Sequence, residues 1–98
     1  MNTKEEILIK LKECKEEFIK KYGVTKIGLF GSYVRNEARE SSDIDIAIEI
    51  KKDKKNIHTF FNLKRELENI LGKRVDLGIE SNLKPIVKEI VKKEIIYV

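Results

Sequence analysis

Asp43 and Asp45 stand two residues apart in the run Asp43-Ile44-Asp45-Ile46-Ala47-Ile48-Glu49-Ile50, ten residues after the pair Gly31-Ser32. The run alternates strictly, with isoleucine at every second position, as a half-buried strand requires. Its isoleucines then face a core, and its two carboxylates share the open face. Paired carboxylates at that spacing repel each other unless a cation lies between them, and a divalent metal is the usual solution. Mg²⁺ in particular favours one or two carboxylates together with substrate phosphates. Arg74 to Glu80 repeats the pattern on a smaller scale and carries Asp76 on its polar side. A Gly-Ser turn opening a helix would add free N–H groups that attract phosphate. Two ions about 3.5–4 Å apart on such carboxylates can clamp the attacking and leaving oxygens of an in-line displacement at phosphorus.

These residues must be positioned by a small scaffold. The chain has 98 residues, 41% hydrophobic and 39% charged, which fits one folded domain spanning residues 1–98 rather than a disordered chain. The net charge is +4, but Lys and Glu are interleaved throughout, unlike the basic stripe of a dedicated nucleic-acid binder. One cysteine excludes an internal disulfide framework and suits a reducing cytoplasm. The charged N-terminal stretch does not resemble a signal peptide, and no apolar run approaches the ~20 residues of a membrane span. The expectation is a cytoplasmic domain without membrane contact.

In chain order, Thr3 and Glu6 form a capping-box pattern opening a helix over 3–22, with Ile7, Leu11, Cys14 and Phe18 on its apolar side and Gly23 as its stop. Val24 to Phe30 reads as a strand, Tyr33 to Ala38 as a short helix ended by a left-handed turn at or after Asn36. Tyr33 is open between an exposed helix position and a nucleotide flank. The Asp43–Ile50 strand follows, then a solvated loop at Lys51–Lys55. Asn56 caps a helix that carries Ile57, Phe60, Phe61, Leu63, Leu67, Ile70 and Leu71 and stops at Gly72. His58, the only histidine, has no metal-spaced partner and reads as a surface residue. After the 74–80 strand, Ser81 or Asn82 caps a last helix with Pro85 in its first turn, buried through Ile86, Val87, Ile90 and Val91. Ile95 to Val98 reads as a short strand or a partner contact.

The order α-β-α-β-α-β-α predicts an α/β (α+β) fold, a small mixed sheet with helices mainly on one face. With the three strands adjacent, Asp43, Asp45 and Asp76 converge. Gly28, Ala47 and Gly78 also recur on the polar faces. They either keep that face low for a triphosphate or partner segment, or accommodate a closely packed helix.

Gly31-Ser32-x10-Asp43-x-Asp45 followed by Asp76 resembles the nucleotidyltransferase fold shared with DNA polymerase β. The run GSYVRNEARESSDIDIAIEI resembles its minimal branch, the MNT proteins, and the likeness extends to Leu83-x-Pro85 and Glu94-x-x-Tyr97. Asn36 stands where that branch often has Gly, a mild departure because Asn also tolerates the left-handed region. The resemblance implies that Asp43 and Asp45 bind two Mg²⁺ ions. Asp76 completes the site of the catalytic ion and helps deprotonate the attacking hydroxyl. Gly31 and Ser32 hold the β- and γ-phosphates of ATP. Arg35 is open between phosphate contact and a surface ion pair.

The resemblance further implies AMP transfer from ATP to a tyrosine of a HEPN-domain toxin, with the chain acting as its antitoxin; the oligomeric state, homo- or hetero-oligomer, is left open by the sequence. Neutralisation by contact alone and transfer to a small molecule are the alternatives. Nucleic-acid polymerisation is disfavoured, since 98 residues leave no room for a template-holding domain.

Overall fold

The computed structural model describes residues 3–98. Helix α1 runs Lys4–Tyr22 and opens on the expected capping box: the Thr3 hydroxyl accepts the Glu6 N–H at 3.2 Å while the Glu6 carboxylate accepts the Thr3 N–H. Gly23 closes it at φ 71°, in the left-handed region where glycine carries no steric cost. Strand β1 follows at Val24–Phe30, β2 at Ile44–Ile50, helix α2 at Ile57–Leu71, β3 at Val75–Ile79, helix α3 at Pro85–Glu94 and β4 at Ile96–Tyr97. Short 3₁₀ turns lie at Lys52–Lys54 and Glu80–Asn82.

The sheet has the order β3-β2-β1-β4 and is mixed: β1 pairs antiparallel with β2 and β4, whereas β2 and β3 are parallel. Parallel neighbours need a crossover, and α2 supplies it. Period-two alternation sends Ile44, Ile46, Ile48 and Ile50 to one face, where they join Ile7, Leu11 and Phe18 of α1 and Leu63, Leu67 and Leu71 of α2 in one buried cluster. Ala47 and Val91 are buried but lie outside that cluster. The sheet thus has a thick core on the isoleucine side and a thinner cover on the carboxylate side.

The row Gly28–Ala47–Gly78 lies straight across β1, β2 and β3. A Cβ at Gly28 would come within 2.7 Å of Ile95 Cγ1, and one at Gly78 within 3.5 Å of Leu83 Cδ2. The segments flanking α3 therefore roof this row, closely at Gly28 and only at ordinary contact distance at Gly78.

Three further expectations are corrected. Tyr33 to Ala38 is not a helix: residues 32–36 form turns and 37–39 run without regular structure. Asn36, at φ 60°, ends the segment after about one turn of hydrogen bonding. Tyr33 is accordingly buried, with the Lys73 ammonium 5.6 Å from its ring centre, instead of standing on an exposed helix or flanking a nucleotide. Helix α3 takes Lys84, not Ser81 or Asn82, at its cap position and buries only Val91, while Ile86 is 73% and Ile90 57% exposed. Most of the apolar face of α3 therefore meets solvent.

Candidate active site

Register sets the site. Phe30, Asp45 and Asp76 are successive partners across β1, β2 and β3, so the Asp45 and Asp76 carboxylates project side by side from parallel strands. Asp43 sits one residue before β2 and is partly exposed. Burial pushes the Asp45 carboxyl up to about 6, aided by the adjacent Asp76 and by Asp43, and Arg35 offsets only part of this. Negative charge is concentrated here beyond what the protein's own cations balance, as at a site built for a cation.

Asp43 pairs with Arg74, Oδ1 to Nε at 3.2 Å. Among the described residues, no three acidic, histidine or cysteine side chains are arranged to hold an ion together. Asp45 and Asp76 are direct register partners, and Asp43 is near enough to raise Asp45 while its Oδ1 is paired with Arg74. The donor chemistry still fits Mg²⁺, which takes one or two carboxylates and completes its shell with phosphate oxygens and water. Asp45 and Asp76 are the pair that could do this, with Asp43 in reserve on an exposed partner that is weakly held.

The Gly31–Ser32 turn is packed directly against Asp45. Gly31 has φ 83°, and a Cβ built on it would collide with Asp45 Oδ2 and lie 2.8 Å from its Cγ. Glycine is required twice at this position, by its backbone angle and by the carboxylate beside it. The Gly31 carbonyl accepts the N–H groups of Val34 and Arg35, and the Ser32 carbonyl accepts that of Glu37. Because no helix follows, the macrodipole expected to draw phosphate is missing. The polar groups at this turn are Ser32, which is partly exposed, and Arg35, which is exposed.

Arg35 forms ion pairs that engage two of its three guanidinium nitrogens. Its Nε donates to Glu37 Oε1 at 2.9 Å, and its Nη1 donates to both oxygens of Glu94 at 2.9 and 3.1 Å. The same Glu94 carboxylate accepts the Gly31 N–H at 2.6 Å. Glu94 was not legible as a site residue, although one signal existed. It is the last residue of α3, where a carboxylate faces the negative end of the helix and needs a partner elsewhere.

Comparison with known proteins follows the same line. The family model described as Polymerase beta, Nucleotidyltransferase matches residues 12–98. The protein adenylyltransferase MntA of Thermococcus cleftensis is 43% identical over 98 residues, covering 100% of this chain and 98% of its own. A Methanocaldococcus jannaschii protein, provisionally named a protein adenylyltransferase, is 40% identical over 99 residues and is covered in full. A solved structure provisionally described as a minimal nucleotidyltransferase superposes with TM-score 0.78 at 34% identity, covering 93% of this chain and 92% of that one. A chain of a toxin–antitoxin structure with AMP-PNP superposes with TM-score 0.70 at 23% identity, covering 88% and 70%, which is a likeness of fold.

Proposed function

The chain belongs to the polymerase β-type nucleotidyltransferases, in their minimal branch, and from that premise we propose that it transfers AMP from ATP to a tyrosine hydroxyl of a HEPN-domain toxin and acts as its antitoxin. That it is a nucleotidyltransferase follows from the family. The acceptor, the metal and the residue roles are the proposal. The observation that carries it is the packing of the Gly31–Ser32 turn on Asp45, with Asp76 beside Asp45 on the next parallel strand.

In this reading Ser32 holds the β- and γ-phosphates, Gly31 shapes the turn with its own N–H held by Glu94, and Arg35 offsets the phosphate charge. Asp43, Asp45 and Asp76 hold Mg²⁺. When bound, the metal neutralises triphosphate charge and polarises the α-phosphate for attack. Asp76, at the sheet edge and exposed, takes the proton of the acceptor hydroxyl. The acceptor oxygen forms its bond to the α-phosphorus as the bond from that phosphorus to the bridging oxygen breaks, and pyrophosphate leaves. Displacement at phosphorus is largely positioning and charge stabilisation, so a small sheet with a turn and carboxylates is sufficient machinery.

A protein acceptor is supported by the names of the full-length relatives, and a toxin partner by the toxin–antitoxin assembly of the AMP-PNP structure. Residues 1–98 act as one catalytic domain, and we place the reaction in the cytoplasm. Among the described residues no helix is long and apolar enough to cross a membrane. Neutralisation by contact alone is the second reading, favoured by the exposed Ile86 and Ile90 of α3. An Asp43→Ala/Asp45→Ala double variant separates the two in cells expressing the toxin. Loss of neutralisation supports transfer, whereas full neutralisation at equal dose supports contact.

A further inference from the structure

Glu94 ties the Gly31 turn to Arg35 from outside the 31–37 segment. It reaches the turn from 63 residues away in sequence, and its side chain is only 17% exposed. One oxygen accepts the Gly31 N–H, and both oxygens accept Arg35 Nη1. The turn has no regular helix behind it, and its own hydrogen bonds run only among residues 31–37. Arg35 is 45% exposed and close enough to Asp45 to favour its ionised form. A guanidinium left to itself there would fold onto the carboxylates, since opposite charges in a partly desolvated site attract strongly.

We infer that Glu94 is the positioning residue of the triphosphate site, holding Arg35 away from the carboxylates and aimed at the phosphates while it pins the Gly31 turn. The inference rests on the proposed nucleotide reading of this turn. Glu94 takes Nη1, and Glu37 takes Nε, so the fork is fixed at two points and Nη2 is the nitrogen left for phosphate. A planar guanidinium held at two points is pre-organised, and recognition of an anion then loses less side-chain entropy. Glu94 itself touches no reacting atom.

The test is AMP-PNP binding with Mg²⁺, measured by calorimetry on wild type, Glu94→Gln, Arg35→Ala and the double variant. Glutamine keeps the acceptor for the Gly31 N–H and removes only the charge that directs Arg35. Glu94→Gln is expected to weaken binding about tenfold in the wild-type background and less than about twofold when Arg35 is already alanine. If the glutamine variant folds poorly, Glu94→Ala in the wild-type and Arg35→Ala backgrounds takes its place, with the same background-dependent loss expected. Equal weakening in both backgrounds would make Glu94 a scaffold residue and overturn the inference. Tighter binding by Glu94→Gln would overturn it too, since the carboxylate would then compete with phosphate. Wild type that binds no AMP-PNP overturns the nucleotide reading itself, an outcome distinct from any failure of Glu94 alone.

Discussion

The Asp45 carboxylate occupies the space that any side chain at position 31 would need. Gly31 and Asp45 are therefore one unit: the turn proposed to hold phosphate and the carboxylate proposed to hold metal are in direct van der Waals contact. This contact fixes the distance between the two halves of the site without any intervening side chain.

Gly31→Ala follows from that contact. The substitution forces a Cβ into the left-handed region and into Asp45, with an expected cost of about 1–3 kcal/mol. Thermal melting should report that loss. AMP-PNP binding should fall further than stability accounts for, because the carboxylate is displaced from its neighbour Asp76.

Asp45 makes stability depend on pH. Its carboxyl is raised to about 6 in the folded protein, chiefly by burial and then by Asp76, from an ordinary value of 3.8. The folded state thus holds this proton more tightly than the unfolded chain. The stability it contributes is present below about pH 4 and is lost as pH rises through about 6. Allowing for solvent screening of a partly exposed group, the loss is about 1 kcal/mol. Urea unfolding across this range should show the decline, and Asp45→Asn should flatten it.

The two glycines of the cross-sheet row should respond differently. A Cβ at Gly28 meets Ile95 at 2.7 Å, tighter than real contacts allow, whereas one at Gly78 meets Leu83 at an ordinary 3.5 Å. Gly28→Ala should cost about 1–3 kcal/mol as Ile95 is displaced, and Gly78→Ala well under 1 kcal/mol. Equal losses in chemical denaturation would contradict the roofing of this face by the α3 flanks.

At the far end of the same face, the buried Glu80 accepts a very short hydrogen bond from Tyr97 and pairs with Lys26 at 3.5 Å. The hydrogen bond to Glu80, with burial second, pushes the Tyr97 phenol up to about 12. Neutral Tyr97 is the form the fold stabilises, so this contribution is intact below about pH 10 and fades as pH passes 12. Burial also raises the Tyr22 phenol, so ultraviolet titration should show Tyr97 and Tyr22 titrating late, and Glu80→Gln should return only Tyr97 toward the ordinary range.

The parts of the site that were legible in the sequence are those written in a period of two. Alternation at 43–50 and 74–80 identified the strands and their faces, and parallel register then brought Asp45 to Asp76. Gly31 was legible from the Gly31-Ser32-x10-Asp43-x-Asp45 spacing, whereas its left-handed angle and its contact with Asp45 were not. Glu94 was not, because a contact spanning 63 residues leaves no local pattern. The helix expected at 33–38 failed because Asn36 turns left-handed within one turn, which also buried Tyr33. In α3, periodicity showed which residues share a face but not that only Val91 would find a surface to cover it.

The central claim is tested most directly by incubating the protein with ATP labelled on the α-phosphate, Mg²⁺ and a purified HEPN-domain protein, the proposed partner. The account predicts that label appears on a tyrosine of the partner with wild type. Asp45→Asn should lower that transfer by at least about a thousandfold. Labelling at the wild-type rate with Asp45→Asn, or no labelling of the partner by wild type, would contradict it.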